Sequence, residues 1–377
     1  VNTKLVTNHQ AGFNIKETSR SPRFRAPYII ALSLSLWLIC ITQAEALILT
    51  VRQDGGGQYS TIQSAINNAQ NGDTVLVFPG RYYENVDFIG KSITVCSREA
   101  TTNDSTYISR TIIDGNNSGS CVIFRNQEQN AVLRGFTLEH GSGLLWGAET
   151  VAGGGVYVGR FSDISIINSD IAYNRSYFGA GIMCIESSMN LSGVRVHDNF
   201  SNSVGTGLYI YAHPAFIPEI VFDPINRCSI YSNYGAPPCD IQVVDVSANI
   251  DIYLDLASVQ NPSDFYIGRH NNFQATQGFM DNIHVIRGLR IEVNHDLYIS
   301  PEGDDLNTGF SPAEAMRSIT LAVHKIASDS LNPKTVHVLP GIYREEDHDQ
   351  ILPIPGKSYV SIIGSGPDTC TIFTNAV

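Results

Sequence analysis

Charge is the scarcest property of this chain. Only 16% of its 377 residues are Asp, Glu, Lys or Arg, and between residues 47 and 296 a single lysine occurs, Lys91. Any side-chain base in that stretch is therefore more readily an arginine than a lysine. There are 24 Lys+Arg against 36 Asp+Glu, for a net charge of −12. Five of the basic and two of the acidic residues fall within the first 46, so the remainder carries −15. A surface this acidic lacks the basic footprint of a nucleic-acid binder, and it repels polyanionic polysaccharide unless bound cations or local arginines intervene. Paired Cys-x-x-Cys and Cys/His spacings are missing as well, which removes a zinc site from consideration. No methionine precedes Met183. Most of the middle of the chain also lacks helical periodicity.

What is abundant there is glycine, asparagine and alternation. "GGGVYVGRF", "GAGIMCIES" and "GTGLYIYAH" begin at Gly153, Gly179 and Gly205, each 26 residues after the last. A repeat of that length marks a solenoid, propeller or array. Within each unit the period is two. Val156, Ile182 and Leu208 share one slot, Val158, Cys184 and Ile210 the slot two further on, and Tyr157, Met183 and Tyr209 the opposite face. A propeller blade needs about 40 residues and four antiparallel strands. Two or three short strands per unit predict instead an all-β, right-handed parallel β-helix, with the inward slots stacked about 4.8 Å apart. Asn174, Asn199 and Asn233 close equivalent strands and are expected to stack as a structural ladder, because Asn tolerates the left-handed conformation and bonds its local backbone.

The ends differ. Arg23 and Arg25, an apolar run over 28–41 and "AEA" ending at Ala46 have the layout of an export signal, so residues 1–46 are expected to be a signal peptide with an upstream extension. The run of about 14 residues is short for a membrane span of about 20, and no span is expected after cleavage. "DTVLVFPGRYYENV" (73–86) returns as "KTVHVLPGIYREED" (334–347), each after one short amphipathic helix. The stripe Ile62, Ala65, Ile66, Ala69 follows a capping box from Ser60 to Gln63, and Ile319, Ala322, Val323, Ile326 follows Ser318 as N-cap. Such a helix supplies the cap that an open solenoid end needs. Two modules are expected: a β-helix over 47–296, with its last rungs over 240–296 and a loop at 258–282, then the cap and first rungs of a second, truncated module over 297–377.

"VRQDGGGQYSTIQSAINNAQNGDTVLVFPGRYYENV", with Gly80, Tyr82, Glu84 and Asn85, resembles the opening of pectin methylesterases and the wider pectin-lyase-like superfamily. "LYISPEGDDLNTGFSP" with "VHVLPGIYRE" resembles the opening of bacterial surface β-helix proteins, and "VLRGFTLEHGSG" their body. Together these cover about 47–240 and 297–377. The resemblance implies a secreted or cell-surface β-helix acting on or binding polysaccharide. The family's Gln-Asp-Thr and Gly-Arg-Pro-Trp motifs are missing, "DFIG" at 87–90 comes too early, and "EHGSG" at 139–143 is not the polygalacturonase set.

Several residues carry candidate chemistry. Asp170 and Arg195 fall on neighbouring rungs, pointing outward. They form either a lyase-type carboxylate and base or a cross-rung ion pair. His140 and His197 read as turn or surface histidines. Tyr157 and Tyr209, with Trp146 and Tyr177 in adjoining turns, offer flat faces for stacking sugar rings or else cover a neighbouring loop. Asp304, Asp305 and Asn307 can supply oxygen ligands to calcium or build an Asx-type turn; no other cofactor is expected. Cys228 and Cys239 flank a loop that a disulfide can clip. Two functions follow. One is non-catalytic binding of a glycan or surface partner within a larger exported protein. The other is a pectate-lyase-like or pectinesterase-like enzyme acting on uronate polymers.

Overall fold

Each 26-residue unit folds into one rung of three short strands, and the rungs stack in parallel. The computed structural model describes residues 45–146, 150–159, 161–201, 203–213, 215–235, 240–270, 282–344, 350, 352 and 354–373. The segment over 1–44 expected to direct export lies outside them. Among the described residues no helix is long and apolar enough to cross a membrane.

Three sheets run the length of the coil. The first has seven strands, from Ile48–Val51 to Ile220–Phe222. The second has eight, from Gly80–Tyr83 to Asn282–Arg290. The third has seven, from Val86–Asp87 to Ile267–His270. Val156 pairs with Ile182 and Ile182 with Leu208, and all three are fully buried. The period-two pattern thus becomes a continuous apolar column, which is the main source of stability in a stack whose units cannot close a core alone. The 240–296 stretch is more regular than its alternation suggests: Asp251–Val259 and Asn282–Arg290 are nine-residue strands paired in parallel. Ile267–His270, inside the expected loop, is a strand of the third sheet.

The corner between the second and third sheets explains the glycines and asparagines. Asn174, Asn199 and Asn233 are fully buried. Asn174 Nδ2 donates to Asn199 Oδ1 at 3.0 Å, and Asn199 Nδ2 to Asn233 Oδ1 at 3.0 Å. The ladder ends on buried Asp240, whose Oδ1 accepts from Asn233 Nδ2 at 3.0 Å. Buried amides satisfied in this way fix the corner without leaving polar groups unpaired. Gly155, Gly181 and Gly207, the last residue of each triplet, lie against this ladder, where a Cβ would collide with the neighbouring rung.

The first cap helix is Ile62–Asn68, and its N-cap is Thr61, one residue later than the expected Ser60. Thr61 accepts from Ser64 N, while the Glu84 carboxylate accepts from Ile62 N and Gln63 N, both at 2.9 Å. Lys91 closes the other end, donating to the carbonyls of Ile66, Asn67 and Ala69 at 2.6–2.9 Å. The second cap helix, Ile319–Lys325, starts at Ser318 as expected. Gln350 Oε1 meets Ile319 N, and Lys357 Nζ meets the Ile326 carbonyl. A new parallel sheet of Leu297–Ile299, Lys334–Val338 and Val360–Gly364 begins here. The apolar core runs on without a break from the first coil into this cap, and Ala46–Val377 is one compact unit.

Candidate functional site

Alternation on the second sheet puts Tyr82, Ile113, Leu138, Ile171, Val196 and Ile230 inside. Their neighbours face outward in two columns. One runs Arg81, Ile112, Thr137, Asp170, Arg195, Ser229 and the other Tyr83, Asp114, Glu139, Ala172, His197, Tyr231. The register expected for Asp170 and Arg195 is the observed one.

Charge on this face is tightly paired. Arg195 Nη2 donates to Asp170 Oδ2, and the Asp170 Oδ1 atom lies 2.8 Å from His197 Nε2. His197 Nδ1 lies 2.8 Å from Asp198 Oδ2. Burial opposes charge on His197, but the two carboxylates outweigh it and raise its pKa to about 9, so the ring is an imidazolium bridging two anions at neutral pH. Burial would likewise raise Asp170, yet His197 and Arg195 hold it below the usual carboxylate range. The His197 ring stacks on Tyr231 at 5.0 Å and 6°.

Two and three rungs away, Arg81 Nη1 donates to both Asp114 and Glu139, and His140 Nδ1 lies 3.1 Å from Asp114 Oδ2. One ligand atom each from Asp114, Glu139 and His140 comes within 4.8 Å of the others. Arg81 already bridges the two carboxylates, so these residues form an ion-pair cluster and do not fit a bound cation. Asp114, 5% exposed, is pushed up by burial, but the amide of Asn116, His140 and Arg81 more than reverse this.

His140, Tyr173, Asp198 and Ser232 turn the corner with φ of 57°, 59°, 50° and 51°. This left-handed conformation is uncommon for His or Tyr, and here it precedes the buried ladder rung after rung. It throws the side chains of His140, Tyr173 and Asp198 outward over a groove of about 550 Å³ lined by His140, Tyr173, Asn174, Arg175, Asp198, Phe200 and Tyr234, while Ser232 is buried. The far wall is the short parallel pair Arg175–Ser176 and Phe200–Ser201, where the Arg175 guanidinium lies 4.8 Å above the Phe200 ring. Tyr173 is 58% exposed.

The expected aromatic column is elsewhere and is closed. Tyr157 and Tyr209 are 9% and 7% exposed. They pack with Ile123, Met183, Ile185 and Val244 into a second apolar cluster, which Leu144 and Phe178 cover. The hairpin Leu144–Trp146 and Thr150–Ala152 and the residues after Ser176 lie over the third sheet, so neither Tyr157 nor Tyr209 has a ring face open to a ligand. Tyr177 is exposed and meets Phe178 edge-on. The Trp146 side chain lies outside the described residues. Asp304, Asp305 and Asn307 serve their own loop. Asp304 accepts from Leu306 N, Asp305 from Arg317 N and Ser318 N, and Asn307 donates to Ala315 O. This is the Asx-type turn, in which Asp304 Oδ1 and Asp305 Oδ1 accept from backbone amides. Cys228, expected to clip a loop through Cys239, is a free thiol in the core, because its strand register points it inward. Cys239 lies outside the described residues.

Sequence reasoning therefore found Asp170 and Arg195 but not the groove beside them. A signal was present: the residue just before the first two ladder asparagines, in "YN" and "DN", is the one the corner projects outward.

No family model and no curated protein matches this chain. Among solved structures it is similar to the pectin methylesterase from Aspergillus niger, at 11% identity over 87% of this chain and 84% of that one, TM-score 0.33. It is also similar to the pectin methylesterase from carrot, at 11% identity over 87% and 88%, TM-score 0.32. A third is the family 28 exopolygalacturonase of Yersinia enterocolitica, at 11% over 88% and 78%, TM-score 0.21. Likenesses this distant carry no argument about activity. The parallel coil itself rests on the strand register described above.

Proposed function

We propose that the protein holds an extended polysaccharide in the groove beside the second sheet, without cutting the polymer chain, as part of a secreted or cell-surface assembly. The observation that carries this reading is the combination lining one groove. The exposed Tyr173 offers an apolar face to a sugar ring, and Arg175, stacked on Phe200, lines the groove with Asp198 and His140 to bond hydroxyls. Such a mixture of aromatic platform and polar groups suits a carbohydrate. The competing reading, elimination on a uronate polymer with Arg195 as base, requires a guanidinium that is engaged by Asp170. His197 offers no alternative, since both ring nitrogens are held by carboxylates.

Titration calorimetry against pectin, alginate, xylan and glucan tests the reading. Replacing Tyr173 by Asn keeps a residue that tolerates the left-handed corner while removing the ring. Tyr173→Asn is expected to weaken binding roughly 3- to 10-fold, as loss of one aromatic contact predicts, with no unsaturated product released by either protein. Wild-type protein that binds none of the four polymers, or a variant that binds as tightly as the wild type, defeats it.

A further inference from the structure

We propose that His140, oriented by Asp114, is a general base that hydrolyses acyl esters carried by a glycan lying in the groove. The inference rests on the groove's being a glycan site and adds a reaction to it.

The buried Asp114 carboxylate can only accept a hydrogen bond, so its contact of 3.1 Å with His140 Nδ1 places the ring proton on that nitrogen. In the neutral ring the lone pair is then on Nε2. Among the described residues Nε2 has no hydrogen-bond partner, the imidazole is 46% exposed, and it lines the groove. His197, by contrast, has both nitrogens engaged. A carboxylate that fixes the tautomer and a second nitrogen that faces substrate are the arrangement of a histidine base. Asp114 is itself anchored, by Asn116 N at 2.9 Å and by Arg81.

The rest of the face decides the reaction class. Glycosidic cleavage needs a protonated carboxylic acid opposite a second carboxylate. Here Asp114, Glu139 and Asp170 are all paired with arginine. Ester hydrolysis needs only a base for water and a donor for the oxyanion. As the water oxygen bonds to the acyl carbon, one water proton passes to Nε2 and the carbonyl pair moves onto oxygen. Collapse of that intermediate breaks the bond to the sugar oxygen, which leaves with the proton from Nε2. The products are a carboxylic acid and a free sugar hydroxyl, with no oxidant or reductant required. Arg175 lines the same groove as a donor for the oxyanion.

The test measures acetate release by the full chain from O-acetylated xylan and from p-nitrophenyl acetate, alongside calorimetric binding of deacetylated xylan. Wild-type protein is expected to release acetate from both esters. His140→Asn, which tolerates the left-handed corner, should lower kcat at least about 100-fold, the usual contribution of a general base, with an unchanged melting curve. Asp114→Asn, altering a positioning residue, should lower kcat while leaving KM unchanged. No turnover of either ester by the wild type, or equal rates in His140→Asn, overturns the inference even when xylan binds. Turnover of the small ester through His140 without binding of pectin, alginate, xylan or glucan overturns the polysaccharide reading instead.

Discussion

Gly181 occupies a position that no larger residue fits. A Cβ there would lie 2.6 Å from Val196 Cγ1 and 3.1 Å from the Asn199 amide nitrogen, with the Gly207 carbonyl oxygen nearer still. That oxygen belongs to the next rung, and Ile182 N donates to it at 2.9 Å, so it cannot retreat without breaking the parallel ladder. Glycine here serves close packing against the buried amides. The first glycine of each triplet has another reason, a φ between 53° and 66°. Gly181→Ala is expected to destabilise the coil by about 3 kcal/mol, the upper range for overpacking a dense core, read from urea unfolding. A loss below about 0.5 kcal/mol would mean that the rungs can part. Much of this scale is legible in sequence. The 26-residue step places Val156, Ile182 and Leu208 in one column, and the shared strand ends "IAYN", "VHDN" and "IYSN" place the asparagines in one ladder. What it leaves open is the meaning of the outward face. Tyr157 reads as an exposed aromatic, and only the hairpin and loop folded over the third sheet bury it, whereas Tyr173, exposed by the corner, is not singled out by the repeat.

At the scale of elements, the cap helices are too short to persist alone. Seven residues fall well below the roughly 12 to 15 that an isolated helix needs. Their ends are completed by distant residues. Glu84 meets the positive N-terminus of Ile62–Asn68, and Lys91 gathers three carbonyls at its negative end. The apolar stripe locates the helix from sequence to within a residue. Its completion is not legible there, because Glu84 and Lys91 stand more than 20 positions from their partners and are brought in by the first rung. The scarcity of lysine gains its meaning here: the one lysine of the first coil is a helix terminator, and Lys357 repeats the role at the second cap. Lys91→Met keeps the aliphatic stem and removes the donors. It is expected to cost about 1–2 kcal/mol, seen as a thermal midpoint lowered by several degrees. An unchanged midpoint would show that water serves these carbonyls equally well.

Across the whole molecule, the second cap seals the far end of the first coil. Val293 N donates to the Lys325 carbonyl and Ala327 N to the Val293 carbonyl across the seam, and Tyr266 donates its hydroxyl to the His324 carbonyl. His324 is fully buried, with Tyr234, Phe265 and Tyr266 rings at 5.3–5.9 Å. Burial is the chief reason its pKa lies well below the ordinary value of 6.5, and the cations Arg290 and Lys357 push the same way; Lys357 is itself paired with Glu292. The ring is therefore neutral in the folded seam and takes up a proton in the opened one. A depressed folded pKa gives stability that is complete above pH 6.5 and is lost as pH falls below it, at up to about 1.4 kcal/mol per pH unit. Asp240 acts in the opposite sense. Its burial raises the pKa to about 6, so protonation below that pH relieves a buried charge and offsets part of the loss. His324→Phe separates the two, since it keeps an aromatic ring in the seam and leaves Asp240 in place. Hydrogen exchange of the Ile319–Lys325 amides is the readout, because opening the seam exposes that helix first. Between pH 7 and 5, corrected for intrinsic rates, protection in the wild type should fall relative to His324→Phe by up to tenfold per pH unit. Parallel profiles for the two proteins would mean that the seam admits the charged ring without opening, and the acid sensitivity argued for this junction would be wrong.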